Sequence, residues 1–286
     1  MARKKPKWQM RVARTGGVLV LALGLLYWWL PWEYDFFPKP PPNPNPLVDP
    51  DSARLFKKGT RVMLVTAHPD DAEFYLGGTL PQLHASGADL ALVVCTDGDK
   101  SYYGPFTNAA ENRKVRRKEA TEAARQWGCH DVTFLGYPDG RLTDGADVQA
   151  DVAKQIERFK PEYVFSFDDD YPPRRTHQDH HRAGEVTVRA AKAATNRPDW
   201  LLLYSTSVPN HAFDVDKTWP EKERLMQVHA SQFVADRNNI GDKIFGRGGD
   251  PWPTIQGIVF ESATEAGEPF GLSLAEPVRI VRLNGQ

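Results

Sequence analysis

A chain of 286 residues with 41% hydrophobic and 26% charged residues can build one sizeable globular domain or two small ones. Its net charge of −1 excludes a general nucleic-acid binder, which needs a phosphate-neutralising excess of Lys and Arg. The two cysteines, Cys95 and Cys129, are far apart and in no CxxC pattern, which excludes a cysteine-based metal site or a disulfide scaffold. A single bridge between them stays open; Cys95, at the end of an apolar run, reads most simply as a small core residue.

Residues 1–14 carry Arg3, Lys4, Lys5, Lys7, Arg11 and Arg14 with no acid, a basic tail. An apolar segment follows from Gly16 to Leu30 and ends in Tyr27, Trp28, Trp29 and Trp32, the side chains of an interfacial aromatic belt. At about 1.5 Å per residue it only just crosses a hydrocarbon layer of ~30 Å. A cleaved signal peptide would end in small residues before the cut, and this segment ends in bulky ones, so residues 15–32 read as an uncleaved membrane anchor. The positive-inside tendency keeps the basic tail cytoplasmic and places the rest of the chain outside the cytoplasm, periplasmic or extracellular. Residues 33–58 form a proline-rich linker whose core, PKPPPNPNPLVDP from Pro38 to Pro50, favours a stiff polyproline-like spacer.

From residue 59 to 286 the pattern changes to short apolar runs alternating with helix-length amphipathic segments. Strands are expected at Arg61–Ala67, Asp89–Thr96, Asp131–Leu135, Glu162–Phe167 and Trp200–Ser205. Helices are expected at Glu73–Ala85, Ala109–Trp127, Ala146–Phe159 and Asp179–Ala194. That alternation predicts an α/β fold with a doubly wound, mostly parallel sheet, following the single transmembrane helix. Further on, Glu221–Val234 is expected to be helical, Ile255–Glu261 and Val278–Leu283 to be strands, and Gly241–Asp250 a loop. Ligands bind such sheets beyond the carboxyl ends of the strands. Four segments rich in polar side chains fall at that edge: His68–Asp71, Thr96–Asp99, Tyr137–Gly140 and Asp168–His181.

The stretch TAHPDDAEFYLGGT, Thr66 to Thr79, places one His, two Asp and one Glu directly behind a buried run. Such groups are costly there unless something compensates them, and a metal ion is the usual compensator. His68 and Asp71 can point at one place from a strand-to-helix turn, and HQDHH at His177–His181 offers further imidazoles, with Asp179 placed to cap a helix. Three N and O donors with a position left for water describe a catalytic zinc site rather than a closed structural one. Gly77 and Gly78 fit close helix packing rather than phosphate cradling, because no GxGxxG spacing exists.

The combination AHPDDAE, GGTL, CTDG, RRKEATEAARQWG, LGYPDG, HQDHHRAG and HASQ resembles the PIG-L/LmbE-like family of zinc-dependent N-acetylglucosamine deacetylases, from about Arg61 to Gln232. The resemblance implies a Rossmann-like sheet and hydrolysis of the N-acetyl group of a GlcNAc-type sugar, with Zn²⁺ or another divalent metal such as Fe²⁺ as cofactor. It further implies His68, Asp71 and His180 as metal ligands, Asp70 as general base and His177 as oxyanion stabiliser. Asp179 would orient a histidine from behind. Arg116 and Asp139 stand where family members contact sugar hydroxyls. For Arg116 the plain alternative is a solvated helix face, and for Asp139 a Pro-Asp-Gly turn. Thr96 and Asp97 would order the pocket or form a plain turn, and His229 and Gln232 would brace the site or pack a helix. Two departures stand out: in the HQDHH motif, Gln178 replaces a common proline and His181 is an additional histidine that competes as ligand, with spacing to Gly184 favouring His180; the other is the membrane anchor. With the anchor, the expectation is a membrane-tethered deacetylase whose partners are an amino-sugar substrate, glycan or glycolipid, and the membrane; the oligomeric state stays open. An amidase cleaving a larger acyl or conjugate amide and a non-catalytic membrane-tethered sugar-binding protein remain rivals. A metal-dependent phosphoesterase is more remote, since it would want a second metal and more carboxylates.

Overall fold

The computed structural model describes residues 52–100, 108–170, 178–233 and 252–284. The basic tail, the apolar segment at 15–32, most of the proline-rich linker, the loop expected at Gly241–Asp250 and His177 lie outside these residues. No helix among the described residues is long and apolar enough to cross a membrane.

A helical turn, Ser52–Leu55, leads into β1 (Arg61–Thr66), and Leu55, inside the stretch read as linker, is buried in the core. There follow α1 (Asp71–Leu76), α2 (Thr79–Ala85), β2 (Asp89–Thr96), α3 (Ala109–Gln126), β3 (Asp131–Tyr137), α4 (Ala146–Phe159), β4 (Tyr163–Phe167), α5 (Gln178–Ala193) and β5 (Trp200–Tyr204). The chain continues through β6 (His211–Asp214), α6 (Trp219–Gln227), α7 (Trp252–Gly267) and β7 (Ala275–Arg282). The described residues form one seven-stranded sheet in the order β3-β2-β1-β4-β5-β7-β6. Its first five strands are parallel, β7 runs antiparallel to β5, and β6 antiparallel to β7. Every residue of β4, and all of β1 and β2 except the first, is buried, as expected of parallel strands covered on both faces.

From β1 the chain winds outward to β2 and β3, then returns to lay β4 on the other side of β1. The switch point therefore lies between β1 and β4, and the crevice beyond their carboxyl ends receives the turn after β1 and the start of α5.

Two expectations are corrected. Ile255–Glu261 is not a strand but part of α7, which packs on β7. Its buried residues Val259, Ala263 and Ala266 recur at helical spacing, and Pro253 sits in its first turn, where a missing N–H costs nothing. The single helix expected over Glu73–Ala85 is two, broken at Gly77–Gly78. Close packing is the cause: a side chain on Gly77 would run into the Glu73 carbonyl and Lys222, and one on Gly78 into Val215. The amides freed at the break, Gly78 N and Thr79 N, each donate to Glu276 at 2.9 Å. Cys95 and Cys129 are both free and buried, so the optional disulfide is not formed.

Candidate metal centre

The Asp71 side chain folds back onto its own turn. Its Oδ2 accepts the backbone N–H of Ala67 at 3.0 Å and of His68 at 2.7 Å, leaving Oδ1 directed at His180 Nε2, 3.2 Å away. His68 Nδ1 lies 3.0 Å from the same His180 nitrogen. A donor atom from each of the three residues falls within 4.8 Å of the others. Ligands bonded at ~2.0–2.2 Å around a tetrahedral ion stand about 3.3 Å apart, so Nδ1, Nε2 and Oδ1 are spaced to hold one cation.

The electrostatics point the same way. Burial raises the Asp71 carboxyl, yet the His180 and His68 imidazoles outweigh it and hold that carboxyl far below its ordinary range. Burial pulls His68 down, but hydrogen bonds to Asp139, Asp179 and Asp71 carry it well above the usual imidazole value. The carboxylates around His68 therefore favour positive charge at the cluster.

His68 is gripped from behind. Its Nε2 lies 3.3 Å from Asp139 Oδ1 and 3.5 Å from Asp179 Oδ2. With the proton on Nε2, shared between these carboxylates, the Nδ1 lone pair is presented to the cation seat. Both carboxylates are fixed in turn. Asp139 accepts the Lys100 N–H at 2.9 Å, and Asp179 accepts those of Gly140 at 2.5 Å and Leu142 at 3.1 Å. Asp139 is pushed down to about 2: burial raises it, and the hydrogen bond and charge of His68 more than offset that. Asp179 thus ties down the β3–α4 loop instead of capping its own helix. It does meet a histidine, as expected.

His180 is set by packing. Its ring stacks on Phe167 at a centroid distance of 4.1 Å and meets the edge of Tyr75 at 6.0 Å. Tyr204 stacks on Tyr75 at 5.1 Å, completing an aromatic wall. His181, the additional histidine, turns away to Glu185, 3.5 Å distant. His177 is outside the described residues.

Asp70 does not cap α1 with its side chain. Its Oδ1 accepts Arg116 Nη2 at 2.7 Å, and Arg116 Nη1 donates to the Gly98 carbonyl at 2.7 Å. Arg116 therefore does not lie on the solvated face, on which Arg113, Lys114 and Lys118 are exposed. Arg113 and Arg117 pair with Asp97, and Arg116 itself is buried. Thr96 ties β2 to the metal turn, its Oγ donating to the Ala67 carbonyl at 2.9 Å. His229 meets Glu73 at 2.9 Å, and Trp127 Nε1 donates to the other Glu73 oxygen at 2.6 Å, so the HASQ segment braces α1 from behind; the Gln232 side chain donates to Ser231 Oγ.

A doubly wound sheet with a His–Asp–His group at its switch point, its donors spaced for one cation, fits the class of metal-assisted hydrolases. Comparison with known proteins narrows this. The PIG-L pattern (GlcNAc-PI de-N-acetylase) matches residues 63–191. A probable N-acetyl-alpha-D-glucosaminyl L-malate deacetylase 2 of Bacillus cereus is 30% identical over 198 residues, covering 64% of this chain and 88% of the relative. Diacetylchitobiose deacetylase of Thermococcus kodakarensis is 27% identical over 196 residues, covering 63% and 73%. The solved N,N'-diacetylchitobiose deacetylase of Pyrococcus horikoshii, 26% identical, superposes with a TM-score of 0.69 over 80% of this chain and 86% of its own. The chain belongs to the PIG-L de-N-acetylase family of amide hydrolases.

Proposed function

We propose that this chain is a membrane-anchored, zinc-dependent N-deacetylase that removes the acetyl group of a GlcNAc-type sugar in a glycan, glycolipid or glycoconjugate outside the cytoplasm. The observation that carries the reading is the convergence of His68, Asp71 and His180, with Asp70 next to Asp71 in the same turn. Relatives whose names specify N-acetylglucosaminyl or diacetylchitobiose substrates support the sugar class. The basic and apolar N-terminal segments support the anchor and the location.

His68, Asp71 and His180 hold the ion, which when bound supplies Lewis acidity toward water and the amide carbonyl. Asp70, next to the ligand Asp71 in the same turn, accepts the proton of the attacking water. Asp139 and Asp179 fix the orientation and tautomer of His68. His177 is assigned to the developing oxyanion and to departure of the amine, by its place in the HQDHH motif. Asp139 is the candidate for contact with the sugar, while Arg116, expected there as well, has its two terminal nitrogens on Asp70 and the Gly98 carbonyl.

The test is acetate release from a panel of soluble N-acetylated sugars, peptidoglycan fragments and GlcNAc lipids, using the purified full-length chain. Release is expected from at least one, and Asp70→Asn should abolish it while zinc content by elemental analysis stays that of the wild type. A zinc-filled protein that releases acetate from none of them overturns the proposal.

A further inference from the structure

One contact at this site asks more of Arg116 than a sugar contact would. Arg116 is 4% exposed, and its two terminal nitrogens are spent within the chain, Nη2 on Asp70 Oδ1 and Nη1 on the Gly98 carbonyl, both at 2.7 Å. A guanidinium presents its donors in a rigid planar fork, so anchoring one prong on a backbone carbonyl fixes where the other points. Asp70 needs such a support. It is the only carboxylate of the HPDD turn whose side chain takes no hydrogen bond from that turn: Asp71 takes two, from Ala67 and His68, whereas Asp70 makes no side-chain cap.

The space for the fork is built into the neighbouring loop. Gly98 has φ +60, a conformation that side chains rarely adopt, and a Cβ there would collide with Nη1 and Cζ of Arg116. The loop is itself held, for Asp97 next to Gly98 is clamped by Arg113 and Arg117. Three arginines of one helix thus fasten the β2–α3 loop and the Asp70 carboxylate together.

We infer that Arg116 is a positioning residue for the reaction: seated on the Gly98 carbonyl, it holds the Asp70 carboxylate in the orientation from which that group accepts a proton. This rests on the proposed role of Asp70 and adds to it the means by which the base is aimed. A misplacement of about 1 Å at a reacting group costs on the order of 10²-fold in rate, so the loss should fall on kcat.

The experiment compares Arg116→Met, Arg116→Lys and Gly98→Ala with wild type in the full-length, zinc-loaded protein. Arg116→Met is expected to lower kcat about 100-fold or more with KM within about twofold, with guanidinium ion added to the assay restoring part of the rate. Arg116→Lys should retain an intermediate kcat. Gly98→Ala, which changes no group able to reach substrate, should reproduce the kcat loss by displacing the guanidinium. A rise in KM with kcat retained would assign Arg116 to substrate binding alone and overturn the inference. Crystal structures of wild type and Arg116→Met provide a readout that needs no turnover. Asp70 is expected to leave its wild-type rotamer in the variant, and an unchanged Asp70 rotamer overturns the positioning role. If wild type hydrolyses no amide yet Asp70 moves, the deacetylase reading fails while the structural inference stands.

Discussion

Lys222 Nζ lies 2.6 Å from Glu276 Oε1, and neither side chain has any exposed surface. The pair stitches four elements together. Lys222 also donates to the Phe74 carbonyl near the end of α1, while Glu276 accepts the N–H groups of Gly78 and Thr79 and the Thr79 hydroxyl at the start of α2. The helix break behind the metal turn is therefore capped from β7 and α6, at the far edge of the fold. Burial lowers the Lys222 pKa, against the raising influence of Glu276 and Glu73.

Removing one partner of this pair should be far worse than replacing both. Lys222→Met leaves a carboxylate buried beside two amides, and a cost of about 3–5 kcal/mol is expected, as for other broken buried pairs. Lys222→Met combined with Glu276→Gln should cost less than the two single changes added together. Urea unfolding of the three variants tests this; additive losses would show that the two residues act independently.

Gly184→Ala should loosen the metal site from behind. Gly184 lies four residues after His180 on α5, and a Cβ there would press on the carbonyl of Phe167 at the end of β4. Backbone cannot give way as a flexible side chain can, so α5 must shift and carry His180 with it. The expected result is a stability loss of about 1–3 kcal/mol together with weakened zinc binding. Unfolding curves and competition with a chromophoric chelator measure the two effects, and unchanged zinc affinity would separate the helix position from the ligand position.

Phe167→Leu probes the same ligand from its stacked face. The ring of His180 lies against Phe167 at 4.1 Å, nearly parallel, so its orientation depends on that flat surface. Zinc affinity is expected to fall by about 10-fold, the size of effect typical when the support of a ligating histidine is removed. Chelator competition gives the number, and wild-type affinity in the variant would show that Tyr75 alone orients the ring.

The residues at the site were legible in the sequence; what holds them was not. His68, Asp71 and His180 converge because the ends of β1 and β4 lie side by side in this sheet. Strand β2 begins and ends at the expected residues, since a buried parallel strand writes a continuous apolar run. The partners of Arg116 were hidden. A basic row on a helix reads as a solvated face, and only the fold brings Asp97 and Asp70 opposite it. The roles of Glu276, Lys222 and Trp127 depend on contacts between residues more than 50 positions apart, which no local pattern records. The helix α7 was misread because its short apolar run, Ile258 to Phe260, has no period of its own, and the deciding residues, Ala263 and Ala266, lie beyond it.

Zinc affinity should rise with pH, and the cause is the environment of His68. In the metal-free protein, burial lowers the pKa of this imidazole, but Asp139, Asp179 and Asp71 together raise it well above the ordinary value. A histidine raised on folding contributes stability that is fully present below about pH 6.5 and is lost as pH rises through the folded value. A metal needs the neutral ring, so below the folded value zinc must displace a proton, and above it no such competition remains. Apparent affinity is therefore expected to increase by up to about 10-fold per pH unit above pH 6.5, then level off past the folded pKa of His68. The metal-free protein should lose stability over the same interval. Asp139→Asn removes the carboxylate nearest Nε2 and should move the levelling point to lower pH. Calorimetric titration with zinc, in two buffers of different ionisation enthalpy, counts the protons released at each pH. No proton release at pH 6, or a release profile across the whole pH range identical in Asp139→Asn, would show that His68 does not carry the proton that zinc displaces.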